Sequence, residues 1–283
     1  MRRSTHPSTT RAPTPRPTTR PRTSNGRVRL RIDLAYDGTD FRGFARQPDQ
    51  RTVQAVLEDA LARLCGAAVG TTGAGRTDAG VHASGQVVHC DVDPTARPVQ
   101  DLDRMRAALD HLCGGDVTVW RVRRVPASFD ARFSATQRRY RYRLCDAVAM
   151  DPAWRRRTWH VGPPTLDIGL MEQGGGHLVG EHVFASFCRK REGDALVRRL
   201  DRIAVRRGSG GLVVVGVVGA AFCHQMVRSI VGTLVEVGAG RQMPAWVGEV
   251  VAAEDRQVAG PVAPPHGLTL TGVSYRGTRS AAR

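Results

Sequence analysis

A glycine-rich stretch between residues 73 and 86 contains the side chains best suited to chemistry. It reads GAGRTDAGVHASGQ, so Arg76 and Asp78 stand among four glycines. Glycine lets a backbone approach a ligand closely, and ligand-binding residues are often carried by loops. The stretch lacks the G-x-x-x-x-G-K-[ST] and G-x-G-x-x-G patterns of nucleotide phosphate sites. We therefore predict a ligand-binding loop of another kind.

The spacing of Arg76 and Asp78 indicates two possible roles. In extended backbone, residues two apart point to the same side, so both could face one cleft. A cation beside a carboxylate favours its ionised form, and a single ionised carboxylate can act as a nucleophile, as in retaining glycosidases. Alternatively, Asp78 caps local amides in a turn and Arg76 forms a surface ion pair. The residues alone favour neither role.

The charge of the chain points to a polyanionic partner. The 283 residues carry a formal net charge of +16, and the sequence pI is near 11.1. Arginine supplies nearly all of the positive charge, since Lys190 is the single lysine. Guanidinium groups suit bidentate contacts with phosphate. A genome that favours arginine codons would explain the ratio of arginine to lysine but not the net charge. We predict that the partner is a nucleic acid.

The cysteines show no metal-site or redox-site spacing. No two of them form a C-x-x-C pair, so we expect scattered reduced thiols and no metal. The ligand sets of a zinc deaminase acting on tRNA, H-x-E and P-C-x-x-C, are also absent. No apolar run is long enough for a membrane span, and residues 1–27 lack the apolar centre of a secretory signal. We expect a cytoplasmic protein without membrane contact.

The elements that must position the loop follow from hydrophobic periodicity. Alternation of apolar and polar residues predicts a strand over residues 28–36, and helical spacing predicts a helix capped by Thr52. The same criteria predict further strands over 86–92, 117–122, 139–144 and 211–218, the last buried on both faces, and helices over 102–112, 223–237 and 245–253. The order of these elements indicates a mixed α/β protein.

The composition divides the chain into four parts. Residues 1–27 are mainly Ser, Thr, Pro and Arg, which predicts a disordered basic tail. We expect an N-terminal α/β lobe over residues 28–130 that carries the loop, a C-terminal α/β lobe over 131–277, and a short tail over 278–283.

Several further blocks, in the same order along the chain, resemble the TruA family of tRNA pseudouridine synthases, as does the loop itself. The resemblance spans roughly residues 28–276, and collinear blocks are far more specific than one motif. The blocks are residues 35–41 (AYDGTDF), 46–47 (RQ), 52–54 (TVQ), 129–136 (FDARFSAT), 138–142 (RRYRY), 180–187 (GEHVFASF), 221–222 (AF) and 226–232 (MVRSIVG).

The resemblance implies a cofactor-free isomerase that detaches uracil from ribose, turns it and rejoins it through C5. Asp78 would be the nucleophile, at C1′ of the sugar or C6 of the base. Arg228 would pair with this carboxylate, and Arg76 would help to extrude the target nucleotide. Tyr140 would stack on the flipped uracil.

Further implications concern the fold and the partners. The fold would be an α+β pseudouridine synthase fold, with two mixed or antiparallel-leaning lobes joined into one sheet platform and a basic cleft between them. The protein would be a homodimer that binds tRNA and modifies uridines 38, 39 and 40 of the anticodon stem-loop. Arg132, Phe129 and Phe133 match a region where the family grips tRNA.

Two features stand outside this interpretation. Phe44 and residues 110–115 depart from the family pattern, and the second departure affects the expected substrate range. The alternative function is a non-catalytic RNA-binding or chaperone protein of the same fold, which would have no reason to place Asp78 between Arg76 and Gly80.

The histidines near the blocks, His82, His89 and His224, are expected to have structural or RNA-contact roles, because the reaction needs no histidine acid.

Overall fold

The computed structural model describes residues 26–189 and 196–276. Apart from residues 26 and 27, the two predicted tails lie outside the described residues. Within these ranges the strands are Val28–Tyr36 (β1), Thr71–Gly73 (β2), His82–Val92 (β3), Val117–Val125 (β4), Ala135–Cys145 (β5), Trp159–His160 (β6), Gly180–Val183 (β7), Val197–Arg207 (β8), Leu212–Gly219 (β9) and Leu268–Tyr275 (β10). The α-helices are Val53–Cys65 (α1), Leu102–Leu112 (α2), Ile168–Gly176 (α3), Met226–Gly238 (α4) and Trp246–Ala253 (α5).

The strands of the described residues form one mixed sheet. Its order is β4-β1-β3-β10-β5-β9-β8-β7, with β2 beside β3 and β6 beside β5. All pairings are antiparallel except β10 with β3 and β5 with β6. The predicted fold class, a mixed α+β protein with one continuous sheet, is therefore confirmed. Whether the chain divides into two lobes near residue 130 stays a prediction.

Strand β10 joins the two parts of the sheet. It runs parallel to β3, where Thr269 lies opposite His82, and antiparallel to β5, where Leu270 lies opposite Tyr140. The last strand of the described chain thus connects the strand that follows the glycine-rich loop with the strand that carries Tyr140.

Periodicity predicted nine of the fifteen strands and α-helices of the described residues and missed β2, β6, β7, β8, β10 and α3. Leu30, Ile32 and Leu34 alternate along β1 and are fully buried, and burying each such side chain stabilises the fold by about 1.5–3 kcal/mol. Helix α1 begins after Thr52, whose hydroxyl accepts a hydrogen bond from the Ala55 amide. None of the helices in the described ranges is long and apolar enough to cross a membrane.

Two predicted elements differ from the structure. Strand β9 alternates between fully and partly buried residues, so it is not buried on both faces. Helix α4 begins at Met226 instead of Cys223, because Gln225 has left-handed backbone with φ of 64°. Residues 223–225 therefore form a loop before the helix instead of its first turn.

The prediction of six reduced thiols is wrong for one pair. Cys188 and Cys223 form a disulfide, and their Cα atoms are 5.8 Å apart, within the range that a disulfide spans. They are 35 residues apart in the chain, so no local spacing predicts the pair. The other cysteines, Cys65, Cys90, Cys113 and Cys145, are free.

Two buried histidines fasten loops to β3. The Nδ1 atom of His82 accepts a hydrogen bond from the Gly38 amide at 3.0 Å, and Nδ1 of His89 accepts one from the Ala131 amide at 2.9 Å. Burial lowers the pKa of both imidazoles, and neighbouring aspartates only partly offset this effect. Both side chains therefore favour the neutral form, whose Nδ1 lone pair the two amides require.

We expect acid to destabilise the protein through these histidines. The unfolded chain protonates histidine near pH 6.5, whereas the folded chain resists protonation. The free energy of unfolding should therefore fall as pH drops below about 6.5, approaching about 1.4 kcal/mol per pH unit for each histidine that stays neutral. Urea unfolding at several pH values between 7.5 and 5.5 measures this slope.

His82→Gln should remove part of the slope. His111→Gln, at an exposed position of α2, is the matched control and should leave the slope unchanged. A His82→Gln variant with the wild-type slope would contradict this account.

Candidate active site

The loop between β2 and β3 is held in place at successive residues. The backbone amide of Ala74 donates to the Val87 carbonyl. The side-chain amide of the fully buried Gln86 donates to the Gly75 carbonyl at 2.7 Å. The Thr77 hydroxyl bonds the Tyr36 hydroxyl at 2.8 Å. These contacts bury Thr77 and leave Arg76 exposed. The loop therefore presents its functional side chains from a fixed backbone.

The Asp78 carboxylate contacts two side chains from the second half of the chain. Its Oδ2 lies 3.2 Å from Nη1 of Arg228, and its Oδ1 lies 3.3 Å from Nε2 of His224. Among the described residues, no backbone amide donates to this carboxylate, whereas Asp37 accepts the amide of Thr39 two residues later. The contacts of Asp78 therefore differ from those of a local turn cap. About 25% of the side chain is exposed, so a ligand can reach it.

The Arg228 side chain is held by a second contact besides the one with Asp78. Its Nε donates to the Ala263 carbonyl at 2.7 Å, and the Ala263 amide donates to the Arg228 carbonyl. The segment around Ala263 crosses α4 closely, because a side chain at Gly232 would collide with the Pro261 carbonyl. The side chain is only 13% exposed, and its Nη1 donates to Asp78. Because the contact with Ala263 already restricts the side chain, Arg228 loses less conformational entropy when it pairs with Asp78.

A second buried arginine ties three segments together around the loop. Nη2 of Arg138 donates to the Ala74 carbonyl at 2.9 Å and to the Arg132 carbonyl at 2.7 Å, and Nη1 donates to the Ala220 carbonyl at 2.5 Å. Burial lowers the pKa of this guanidinium, but an arginine stays charged in a protein. The loop, the segment after Ala131 and the loop before α4 therefore depend on one cation.

Tyr140 lies beside the loop on the same face of β5 as Arg138. Its ring packs edge-on against Phe222 with centroids 5.0 Å apart, and the side chain is 9% exposed. A Cβ atom at Gly75 would lie 3.6 Å from the Tyr140 hydroxyl, so the loop passes close to the hydroxyl end of this side chain. Burial raises the pKa of Tyr140 well above its usual range, and the phenol stays protonated.

The residues predicted to grip RNA divide into two kinds. Phe129 is half-buried and packs against Tyr275 with centroids 4.9 Å apart, below the Arg31 guanidinium. Phe133 is 79% exposed, and the exposed Arg132 guanidinium lies 5.3 Å from its ring centroid. Arg132 and Phe133 are thus available to a ligand, whereas Phe129 supports the fold at this point.

Sequence reasoning missed the contacts of His224 and Arg138. A helix starting at Cys223 would place His224 and Arg228 on one face, but no local pattern shows that this face meets the loop of Asp78. Arg138 belongs to the block of residues 138–142, and nothing in its local pattern shows that it is buried. The predicted roles of Arg76, Arg132 and Phe133 involve a ligand, and these roles stay predictions.

Comparison with known proteins identifies similar chains. A family model described as tRNA pseudouridine synthase matches residues 34–134 and 176–276. A tRNA pseudouridine synthase A of Frankia casuarinae is 49% identical over 254 residues, which cover 89% of this chain and 91% of that protein. Proteins of the same name are 45% identical in Leifsonia xyli subsp. xyli, covering 88% and 92% of the two chains, and 44% identical in Streptomyces avermitilis, covering 88% and 89%.

Replacing Arg138 should destabilise the fold. Arg138→Met leaves the carbonyls of Ala74, Arg132 and Ala220 without this donor, and the bond to Ala74 is buried, where an unsatisfied group costs about 1–3 kcal/mol. We expect a loss of about 2 kcal/mol or more in the free energy of unfolding, measured by urea titration. Arg138→Lys should recover only part of it, since one ammonium cannot match the geometry of the guanidinium.

Arg141→Met, at an exposed position of the same strand, is the control and should change stability by less than about 0.5 kcal/mol. Equal stability of the Arg138→Met and Arg141→Met variants would show that the three carbonyls do not depend on Arg138.

Proposed function

The chain belongs to the tRNA pseudouridine synthase family, and from this premise we propose that it is an isomerase that converts uridine to pseudouridine in tRNA, with Asp78 as the nucleophile. The observation that supports Asp78 most directly is its pair of contacts. Its carboxylate meets Arg228 and His224 across the sheet and, within the described residues, no local amide. A carboxylate held this way is oriented for attack instead of being used in a turn.

The proposed reaction exchanges one bond of ribose for another. A carboxylate oxygen of Asp78 forms a bond with C1′ of the sugar or C6 of the base. The bond between C1′ and N1 breaks, the uracil turns, and its C5 bonds to C1′. The proton on C5 is then lost, N1 gains a proton, and the carboxylate is released unchanged. No oxidation or reduction occurs, which fits a cofactor-free isomerase.

Neighbouring side chains would supply the space and the grip for the nucleotide. Reaching C1′ or C6 requires the target nucleotide to leave its stack. Arg76 is exposed two residues before Asp78, where it can occupy the vacated position. Tyr140 lies with its hydroxyl beside the loop and would stack on the uracil, a contact worth about 1–3 kcal/mol. Arg132 and Phe133 pair an exposed guanidinium with an exposed ring, which suits a phosphate and a base.

The finer details of the substrate are also proposals. We expect uridines 38, 39 and 40 of the anticodon stem-loop to be modified by a homodimer in the cytoplasm. Several neighbouring targets require recognition of tRNA shape and backbone instead of a base sequence, for which an arginine-rich surface is suited.

Asp78→Asn should abolish catalysis and preserve binding. The amide is nearly isosteric with the carboxylate but is a poor nucleophile, so we expect the rate to fall by about 1,000-fold or more. Release of tritium from C5-labelled uridine in a tRNA transcript measures the rate, and filter binding measures the dissociation constant, which should change by less than about threefold.

Asp103→Asn, at an exposed position in the first turn of α2, is the matched control and should keep full activity. Turnover by Asp78→Asn would refute the nucleophile. A wild-type chain that binds tRNA but releases no tritium would instead favour the non-catalytic RNA-binding alternative.

The target positions are tested in cells. Pseudouridine should disappear from positions 38, 39 and 40 of tRNA when the protein is removed, and it should return when the wild-type chain, but not Asp78→Asn, is supplied. Chemical mapping of pseudouridine in total tRNA gives all positions in one experiment. Persistence of pseudouridine at these three positions would assign the chain to other uridines.

A further inference from the structure

The His224 side chain makes a contact that the proposed reaction does not yet use. Its Nε2 lies 3.3 Å from Oδ1 of Asp78, while Nδ1 is buried and has no hydrogen-bond partner in the described part of the chain. A buried polar atom without a partner costs free energy, so such groups are rare in folded proteins. The arrangement therefore orients the imidazole toward the carboxylate at some expense to stability.

Two contacts and one backbone conformation fix the loop that carries His224. The preceding residue, Cys223, is joined to Cys188, and the His224 carbonyl accepts a hydrogen bond from the Arg189 amide at 3.1 Å. The following residue, Gln225, has φ of 64°, an uncommon conformation for a residue other than glycine. The position of His224 is thus set from both sides, independently of Asp78.

The contacts of the ring decide which nitrogen carries the proton. An N–H at Nε2 faces the carboxylate favourably, whereas a lone pair there would face its negative charge. We therefore place a hydrogen on Nε2, the nitrogen that faces Asp78.

The two oxygens of Asp78 are consequently held by unequal donors. Oδ2 accepts a hydrogen bond from the guanidinium of Arg228, which is also anchored on Ala263, whereas Oδ1 lies 3.3 Å from Nε2 of His224 without hydrogen-bond geometry. A charge-assisted hydrogen bond from a guanidinium is strong, and a contact without that geometry is weaker. Oδ1 is therefore the oxygen that a substrate can free at lower cost.

We propose that His224 is a positioning residue that aims Oδ1 of Asp78 at the nucleotide. It holds this oxygen in line before the nucleotide arrives and releases it as the bond to carbon forms. The lone pair of Oδ1 makes the new bond, the electrons of the C1′–N1 bond leave with uracil, and the proton on Nε2 stays where it is. If C6 is attacked instead, the electrons of the C5–C6 double bond are displaced. The inference rests on the proposed function.

Three substitutions test the role. Leucine fills the space of the imidazole without a donor. Glutamine can place an amide N–H near the position of Nε2, and asparagine is too short to do so. Single-turnover rates on a tRNA transcript, dissociation constants and thermal unfolding are measured for each variant.

We expect His224→Leu and His224→Asn to slow the single-turnover rate by about 10-fold to 100-fold, the cost of losing orientation at a reacting group. The dissociation constant for tRNA should change by less than about twofold. His224→Gln should recover the rate to within about threefold of the wild-type chain. Rescue by glutamine combined with unchanged binding distinguishes a donor role from a merely structural one.

The outcomes separate this inference from the proposed function. If the wild-type chain forms no pseudouridine, the proposed function fails and the role of His224 fails with it. If the wild-type chain is active and the leucine and asparagine variants are equally fast, the inference alone is overturned. It is also overturned if the glutamine variant is folded and binds tRNA but is as slow as the asparagine variant. Should leucine prevent folding, the comparison of glutamine with asparagine decides.

Discussion

The ion pair between Asp78 and Arg228 joins residues that are 150 positions apart in the chain. Both side chains are partly withdrawn from water, so each loses hydration that the partner must replace. A partly buried pair is favourable only when its geometry is fixed, and here the geometry is fixed by the sheet. Strand β10 runs between β3, which follows the loop of Asp78, and β5, which neighbours β9 and the loop before Arg228. The site therefore exists only when the last strand is in place.

Arg138 supplies the second condition for this geometry. Most buried cations in proteins are paired with a carboxylate. The hydrogen bonds of Arg138 run instead to backbone carbonyls, including those of Ala74, Arg132 and Ala220. Carbonyl oxygens on separate segments can satisfy a guanidinium only if the segments lie next to each other. The buried charge of Arg138 is therefore tolerated only when these three segments have come together. Because Tyr140 lies two residues further on the same strand face, the contact that closes the loop also sets the distance from the loop to the predicted stacking ring.

The sequence permits prediction of whatever depends on local pattern. Alternation along β1, the helical spacing and Thr52 cap of α1, and the glycines around Asp78 are local properties, and the structure agrees with the elements that they predict. The pairing of Asp78 with Arg228 was expected from the family resemblance, because no physical pattern relates residues so far apart. The start of α4 was misplaced because residues 223–225 fit a helix, while the left-handed turn at Gln225 depends on tertiary contacts. The contact of His224 with Asp78 and the disulfide of Cys188 with Cys223 have no local signal either, because each joins residues far apart in the chain.

The net charge indicates the partner only after the arginines paired with aspartates are separated from the exposed ones. Arg29 and Arg207 each make two hydrogen bonds to a single aspartate, Asp91 and Asp146, so these four residues contribute little to the field outside. Residues 1–25 contain six arginines and no acidic residue, so residues 26–283 still have a formal net charge of +10. The excess cations are therefore not confined to the N-terminal segment. They include the exposed Arg76 and Arg132, on the loop of Asp78 and beside the exposed ring of Phe133. An attraction for phosphate that extends to the loop of the nucleophile can orient a polyanion as well as attract it, which a charged tail alone would not do.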